Sequence, residues 1–398
     1  MRALAPRSAK GMSIATGVMF CVTSAIAANP DGYVTEVVAG YLVTAPNGKK
    51  LWTKIIRPRL DLYPGQTFPS VVDVPGGLGA GENGDLRLAA EGFVEFHVNA
   101  EGRGLLHRSE GSENHNGFLH QDDLKAVIEF ALTQPNVRTD NLGVVTHSYG
   151  ITIGAACLGR YPTLKVKYLV EGEGPSDNYV TSFEPWALDN HPENDRHQAA
   201  YQIFGHWSTY RDPSPENVAW WSEREATRFI GRARCRYVRV QAEWDHAQPP
   251  NAQWPGFDYP PLWWPCKHAT DLINLATEGR CAWTRVNAAA LGNAANQTYD
   301  HDGRPTYYSG RMQDHPDEIQ RIIREMAAMP ALSTRLGDLN CDQKTDNFDI
   351  DPFVLALTDR VAYAKSYPGC NRQNADCNDD GAIDNFDIDP FVDLLAKN

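Results

Sequence analysis

Ser148 stands in the run Thr146-His147-Ser148-Tyr149-Gly150, after five residues of strand character (142–146) and before a helical pattern rich in small side chains (151–156). A serine hydroxyl becomes a useful nucleophile when a tight turn lifts it clear of its scaffold. A strand that breaks sharply into a helix does this, provided small neighbours let the two elements approach. Thr146 occupies the first glycine position of the G-x-S-x-G pattern. The chemistry such a residue offers is acyl transfer, with a base and an acid arriving from downstream. The bland alternative is a serine that merely caps a buried helix.

The elements that would carry this turn alternate along the chain. Apolar runs suited to buried strands lie at 70–74, 93–98, 142–146, 166–170 and 237–241, and Leu124, Val127, Ile128 and Ala131 mark a helical face between them. Such alternation predicts an α/β fold, a mainly parallel sheet flanked by helices, over residues 29–330. Between 172 and 234 the pattern loosens into a stretch rich in Pro, Asn and Trp, which reads as a cap inserted over the sheet's C-terminal edge.

Residues 34–328 resemble the α/β-hydrolase superfamily. The resemblance implies an eight-stranded, mostly parallel sheet and a Ser–acid–His triad in that chain order. Ser148 would be the nucleophile and the Tyr149 backbone N–H one oxyanion donor. The second donor would come from Gly77 or Leu78 in Val74-Pro75-Gly76-Gly77-Leu78, with Pro75 where many members carry His. Losing one such donor typically raises the barrier by about 3 kcal/mol. Taken alone, that glycine pair is an ordinary strand-ending turn. Asp245, just past the run 237–241, is the expected acid; Glu243 is close by, and Glu171, Glu173 and Asp177 compete. With a final strand at 281–287, the base should precede a terminal helix. His315 does, followed by Pro316 and a helical face of Ile319, Ile322, Ile323 and Met326. His301, in a polar loop without an adjacent helix, is the rival.

Eight of the ten Trp residues fall between 186 and 264. They could line a groove for sugars or aromatic acyl groups, or simply pack the insertion's own core. Trp244, beside Asp245, is the candidate for substrate contact.

A different signal closes the chain. Residues 346–354 recur identically at 384–392, and residues 337–398 hold 13 Asp, no Glu and five basic groups. This break marks a separate module, with the boundary near 329–336. Asp338, Asn340, Asp342, Asp346 and Asp349 fall at positions 1, 3, 5, 9 and 12 of a calcium loop; Asp376, Asn378, Asp380, Asp384 and Asp387 do the same. The carbonyls of Lys344 and Ala382 stand at position 7, and Gly381 at position 6 of the second loop. Packed carboxylates repel one another without an ion, so calcium should drive this module's folding. A solvated acidic tail is the alternative, but Phe353-Val354 and Phe391-Val392 supply apolar faces that such a tail would lack. The module resembles type I dockerin repeats, which implies a cohesin-like protein partner. It departs from them at Gln343, which replaces the first loop's Gly, in its long repeat offset, and in carrying Cys341, Cys370 and Cys377. Cys341 pairing with Cys370 would staple the inter-repeat segment; Cys377 is the other possible partner.

Arg2, Arg7 and Lys10 precede an uncharged run at 12–28 that ends in a small-x-small pattern, so residues 1–28 read as a secretory signal. Export permits disulfides, although seven cysteines after residue 28 leave one unpaired in a monomer. Removing the leader takes the net charge from −13 to −16, which argues against nucleic-acid partners. No later run is apolar enough for a membrane span. No phosphate-cradling glycine loop or HExxH motif calls for a cofactor in catalysis. The expectation is an exported serine hydrolase for carboxylic esters, with polysaccharide-linked esters suggested by the dockerin-like company. A serine peptidase of the same fold and a non-catalytic protein displayed through its repeats are the alternatives.

Overall fold

The computed structural model describes residues 32–177, 204–209, 211–241, 263–276, 278–282, 317–333, 335–367 and 370–397. The leader expected at 1–28 lies outside them.

Eight strands form one sheet: β1 (Thr35–Thr44), β2 (Lys50–Pro58), β3 (Phe68–Val74), β4 (Val94–Val98), β5 (Val137–His147), β6 (Tyr168–Gly172), β7 (Arg236–Val240) and β8 (Glu278–Ala282). Their spatial order is β1-β2-β4-β3-β5-β6-β7-β8. β1 and β2 run antiparallel to their neighbours, while every pairing from β4 through β3 to β8 is parallel. This is the mostly parallel, eight-stranded sheet that the α/β-hydrolase resemblance implies.

Parallel strands covered on both faces read as continuous apolar runs, and β3, β4, β6 and β7 are buried along their whole length. One face packs beneath helices α1 (Phe118–Leu132) and α2 (Ile151–Arg160). Helix α3 (Pro215–Ser222) follows in the inserted region, and α4 (Trp263–Leu275) joins the same face as α1 and α2. On the opposite face α5 (Glu318–Ala328) buries Ile319, Ile322, Ile323 and Met326 against Val145, Val170 and Val238. That stripe has the spacing read from the sequence.

The last strand corrects an expectation. β8 begins at 278, three residues before the expected 281–287, because its start is set by backbone pairing with β7, from Arg236↔Glu278 to Val240↔Ala282; residues 283–287 lie outside the described residues. A glycine and an arginine inside it hide it from a search for apolar runs.

Residues 337–397 have a core of their own: Leu339, Phe353, Ala356, Tyr363, Ala375 and Phe391. Helices α6 (Ile350–Thr358), α7 (Arg360–Ser366) and α8 (Ile388–Ala396) surround it. The repeated segments enter α6 and α8 through matching capping boxes, Asp346 with Asp349 and Asp384 with Asp387. Their phenylalanines, Phe353 and Phe391, stack face to face with centroids 4.0 Å apart. Cys341 is disulfide-bonded to Cys370, while Cys377 is a free thiol. The module touches the sheet domain through Arg234 and Asp379, 2.8 Å apart. No described helix is long and apolar enough to cross a membrane.

Candidate active site

β5 delivers Ser148 to the sheet's C-terminal edge. Extended backbone ends at His147, Ser148 sits in the left-handed region at φ 50°, and a single 3-10 turn leads into α2. A non-glycine residue there costs of order 1 kcal/mol, and it persists only where its surroundings over-determine it. Ser148 remains partly exposed.

The surroundings do over-determine it. The turn after β3 crosses so near that a Cβ on Gly76 would lie 2.7 Å from the His147 carbonyl oxygen and 2.9 Å from Ser148 Cβ. Only glycine fits. Gly77 follows at φ 57°, with Leu78 41% exposed beside it. On the other flank the Tyr149 carbonyl accepts hydrogen bonds from Asn116 Nδ2 and Thr152 Oγ1, both at 2.8 Å. Asn116 is itself fixed by Arg103, whose guanidinium also forks onto Glu113. Burial opposes ionisation of Glu113, but the Arg103 bonds outweigh it and bring its carboxyl down to about 2.

Beneath the turn lies a chain of four ionisable groups that the sequence reading missed. Asp73, at the end of β3, accepts from His147 Nε2 at 3.0 Å and from His97 Nδ1 at 2.9 Å. His97 Nε2 donates to Glu95 at 3.0 Å, and Glu95 also accepts the backbone N–H groups of Leu86, Leu88 and Ala89. Glu95 and His97 are fully buried, and about a third of the His147 side chain is exposed. Burial works against charge on His97, yet hydrogen bonds and attraction from both carboxylates prevail and raise its pKa to about 9. Asp73 is correspondingly held well below the usual carboxylate range by the two imidazoles, despite burial. The result is a hydrogen-bonded clamp tying β3 to the residue preceding Ser148.

The structure therefore sets the turn carrying Gly76, Gly77 and Leu78 against the turn carrying Ser148 and Tyr149, through Gly76. Asp245, its neighbours Glu243 and Trp244, and both His315 and His301 lie outside the described residues. Of the rival acids, Glu171 is fully buried in β6 and faces Arg239 at 2.8 Å and the Tyr237 hydroxyl at 2.9 Å. Glu173 is buried just past that strand.

Among the tryptophans, Trp221 is buried and donates to the Trp207 carbonyl at 2.6 Å, and Trp220 stacks on His206. Trp207, Trp220 and Trp221 thus pack against their neighbours in the 204–222 segment, and Trp220 also lies 6.3 Å from the His115 ring. Phe204 reaches the turn that carries Ser148, its ring 4.9 Å from that of Tyr149.

No protein-family model matches the sequence, and no curated protein matches it. Solved structures are similar at low identity. Acetyl xylan esterase 1 from Thermoanaerobacterium sp. JW/SL YS485 is 15% identical, with a TM-score of 0.45, over 73% of this chain and 87% of that one. Est1E from Butyrivibrio proteoclasticus, solved with ferulic acid, is 13% identical with a TM-score of 0.44, over 71% and 98%. Dipeptidyl peptidase 4 from Porphyromonas gingivalis is 16% identical with a TM-score of 0.45, over 74% of this chain; the match spans only 35% of that peptidase's length.

Proposed function

We propose that the chain is a secreted serine hydrolase that cleaves carboxylic esters. The observation that carries this reading is Ser148, a strained, partly exposed serine at a strand-to-helix apex, with a glycine-only turn pressed against it. In the proposed reaction Ser148 Oγ adds to the acyl carbonyl while His315, oriented by Asp245, takes its proton. The developing oxyanion is met by the backbone N–H groups of Tyr149 and of Gly77 or Leu78. Collapse expels the alcohol, which receives the proton from His315, and water then releases the acyl group by the same steps. Trp244 would contact the substrate.

The test is labelling by a fluorophosphonate probe. Wild type should react, Ser148→Ala should not, and His315→Ala should lose turnover while His301→Ala keeps it. An unlabelled wild type would leave a binding protein as the reading. Hydrolysis of p-nitrophenyl esters but not aminoacyl-anilides is expected; the opposite preference would make the protein a peptidase.

For the C-terminal module the proposal is a dockerin-like unit that holds two calcium ions. Among the described residues no three His, Cys, Asp or Glu side chains already converge as a cage. The donor set is nonetheless oxygen only, as calcium prefers. Asp338 is fully buried with Oδ1 lacking any hydrogen bond, and burial pushes the Asp349 and Asp376 carboxyls up. A dication in each loop would relieve all three. Asp338, Asn340, Asp342, Asp346, Asp349 and the Lys344 carbonyl would hold one ion; Asp376, Asn378, Asp380, Asp384, Asp387 and the Ala382 carbonyl would hold the other. Phe348 and Phe386, each 77% exposed, offer an apolar surface that a cohesin-like partner would cover.

A further inference from the structure

A cleft of about 280 Å³ opens where the C-terminal module meets the sheet domain, and its walls carry four arginines. Arg228 and Arg232 come from the sheet domain, Arg360 and Arg372 from the module, with Gln373 and Gly381 completing the wall. Among the described residues, only Arg228 of these four has a carboxylate partner, Glu225. Arg360 Nη2 donates to the Ala276 carbonyl at 3.0 Å, and Arg372 Nε to the Ala356 carbonyl at 2.9 Å. Arg232 lies against Gly381. Among the described residues, none of Arg232, Arg360 and Arg372 forms an ion pair.

This is unusual in a chain of net charge −13, where Arg57, Arg103, Arg160, Arg234 and Arg239 all meet carboxylates. Gathering half-buried guanidinium groups without counter-charge is costly, since each loses hydration and repels the others. The strain is visible on Arg372, brought down to about 10 by burial first and then by the charge of Arg360. Planar guanidinium forks are matched to carboxylate and phosphate oxygens. The volume is several times the roughly 30 Å³ that one water occupies, so the space suits an organic anion as well as a bare ion.

We propose that this junction cleft binds a small organic anion bearing a carboxylate or phosphate, which bridges arginines of the sheet domain and of the module. The site is separate from Ser148 and does not depend on its chemistry.

The experiment is titration calorimetry on the full chain with three probes: D-galacturonate, inorganic phosphate, and neutral D-galactose. Saturable binding of galacturonate, of phosphate, or of both is expected, weakening as salt is raised. Galacturonate alone assigns the cleft to sugar acids, and phosphate alone to phosphorylated ligands. Arg360→Gln with Arg372→Gln should weaken binding at least about tenfold, the loss expected for a charge-assisted contact. Arg232→Gln, which removes no hydrogen bond among the described residues, should also weaken it and serves should the double variant not fold. Arg59→Gln, an exposed pair member elsewhere on the sheet domain, should bind as wild type does. Failure of both anions to bind, equal binding of galactose, or undiminished binding by Arg232→Gln and the double variant would overturn the site.

Discussion

Replacing His97 by Gln probes the ionised clamp beneath Ser148. In the native protein the ring is fully buried between Asp73 and Glu95, and its pKa stands near 9 against 6.5 for a free imidazole. That shift corresponds to about 3 kcal/mol of folding free energy. Because the folded-state value is the raised one, the contribution is complete below pH 6.5. It declines as pH climbs and is gone above about 9. Glutamine can still hydrogen-bond but carries no charge, so Glu95 and Asp73 lose the charge of His97, Asp73 keeping only His147; removing one member of a buried pair costs about 3–5 kcal/mol. The assay is urea denaturation of wild type and His97→Gln, followed by tryptophan fluorescence at pH 6, 7.5 and 9.5. The gap between the two proteins should be largest at pH 6 and shrink by about 3 kcal/mol at pH 9.5. A gap that stays constant across that range would refute a charged His97.

Three further outcomes are expected. Gly76→Ala forces a Cβ into the His147 carbonyl and Ser148 Cβ, so ester turnover should fall about 100-fold, as for an ångström-scale misplacement of a reacting group, with the fold retained by circular dichroism. Asp123 is buried with Oδ1 unpartnered, and burial raises its carboxyl to about 8. The native state thus stays protonated where the unfolded chain ionises, and wild type loses about 1.4 kcal/mol per pH unit between pH 4 and 8. Asp123→Asn should be spared that loss, its advantage in urea midpoint growing over that interval. Calorimetry on the full chain should show two calcium-binding events, both abolished in Asp338→Ala with Asp376→Ala; absence of heat at millimolar calcium would refute the calcium loops.

Much of the scaffold was legible because it is local. The turn at Ser148 shows itself through a short motif set between a strand and a helix, and the α5 stripe through its spacing. The start of β8 escaped because Gly279 and Arg280 interrupt its apolar character and only register with β7 defines it. The clamp escaped for a related reason. Glu95 and His97 alternate onto one face of β4, yet the run 93–98 reads as apolar core. What makes them a network is the pairing of Asp73 with His97 across β3 and β4. That register belongs to the sheet, not to either segment. Asn116, 33 positions from the carbonyl it fixes, is hidden in the same way.

The left-handed backbone of Ser148 sets durability against reactivity at one position. Glycine adopts φ 50° without penalty, so Ser148→Gly should relieve the local conformational cost while deleting the hydroxyl. Under the proposed function, selection for heat resistance alone would therefore drift toward loss of the nucleophile, and a library screened only for melting temperature would be enriched in such losses.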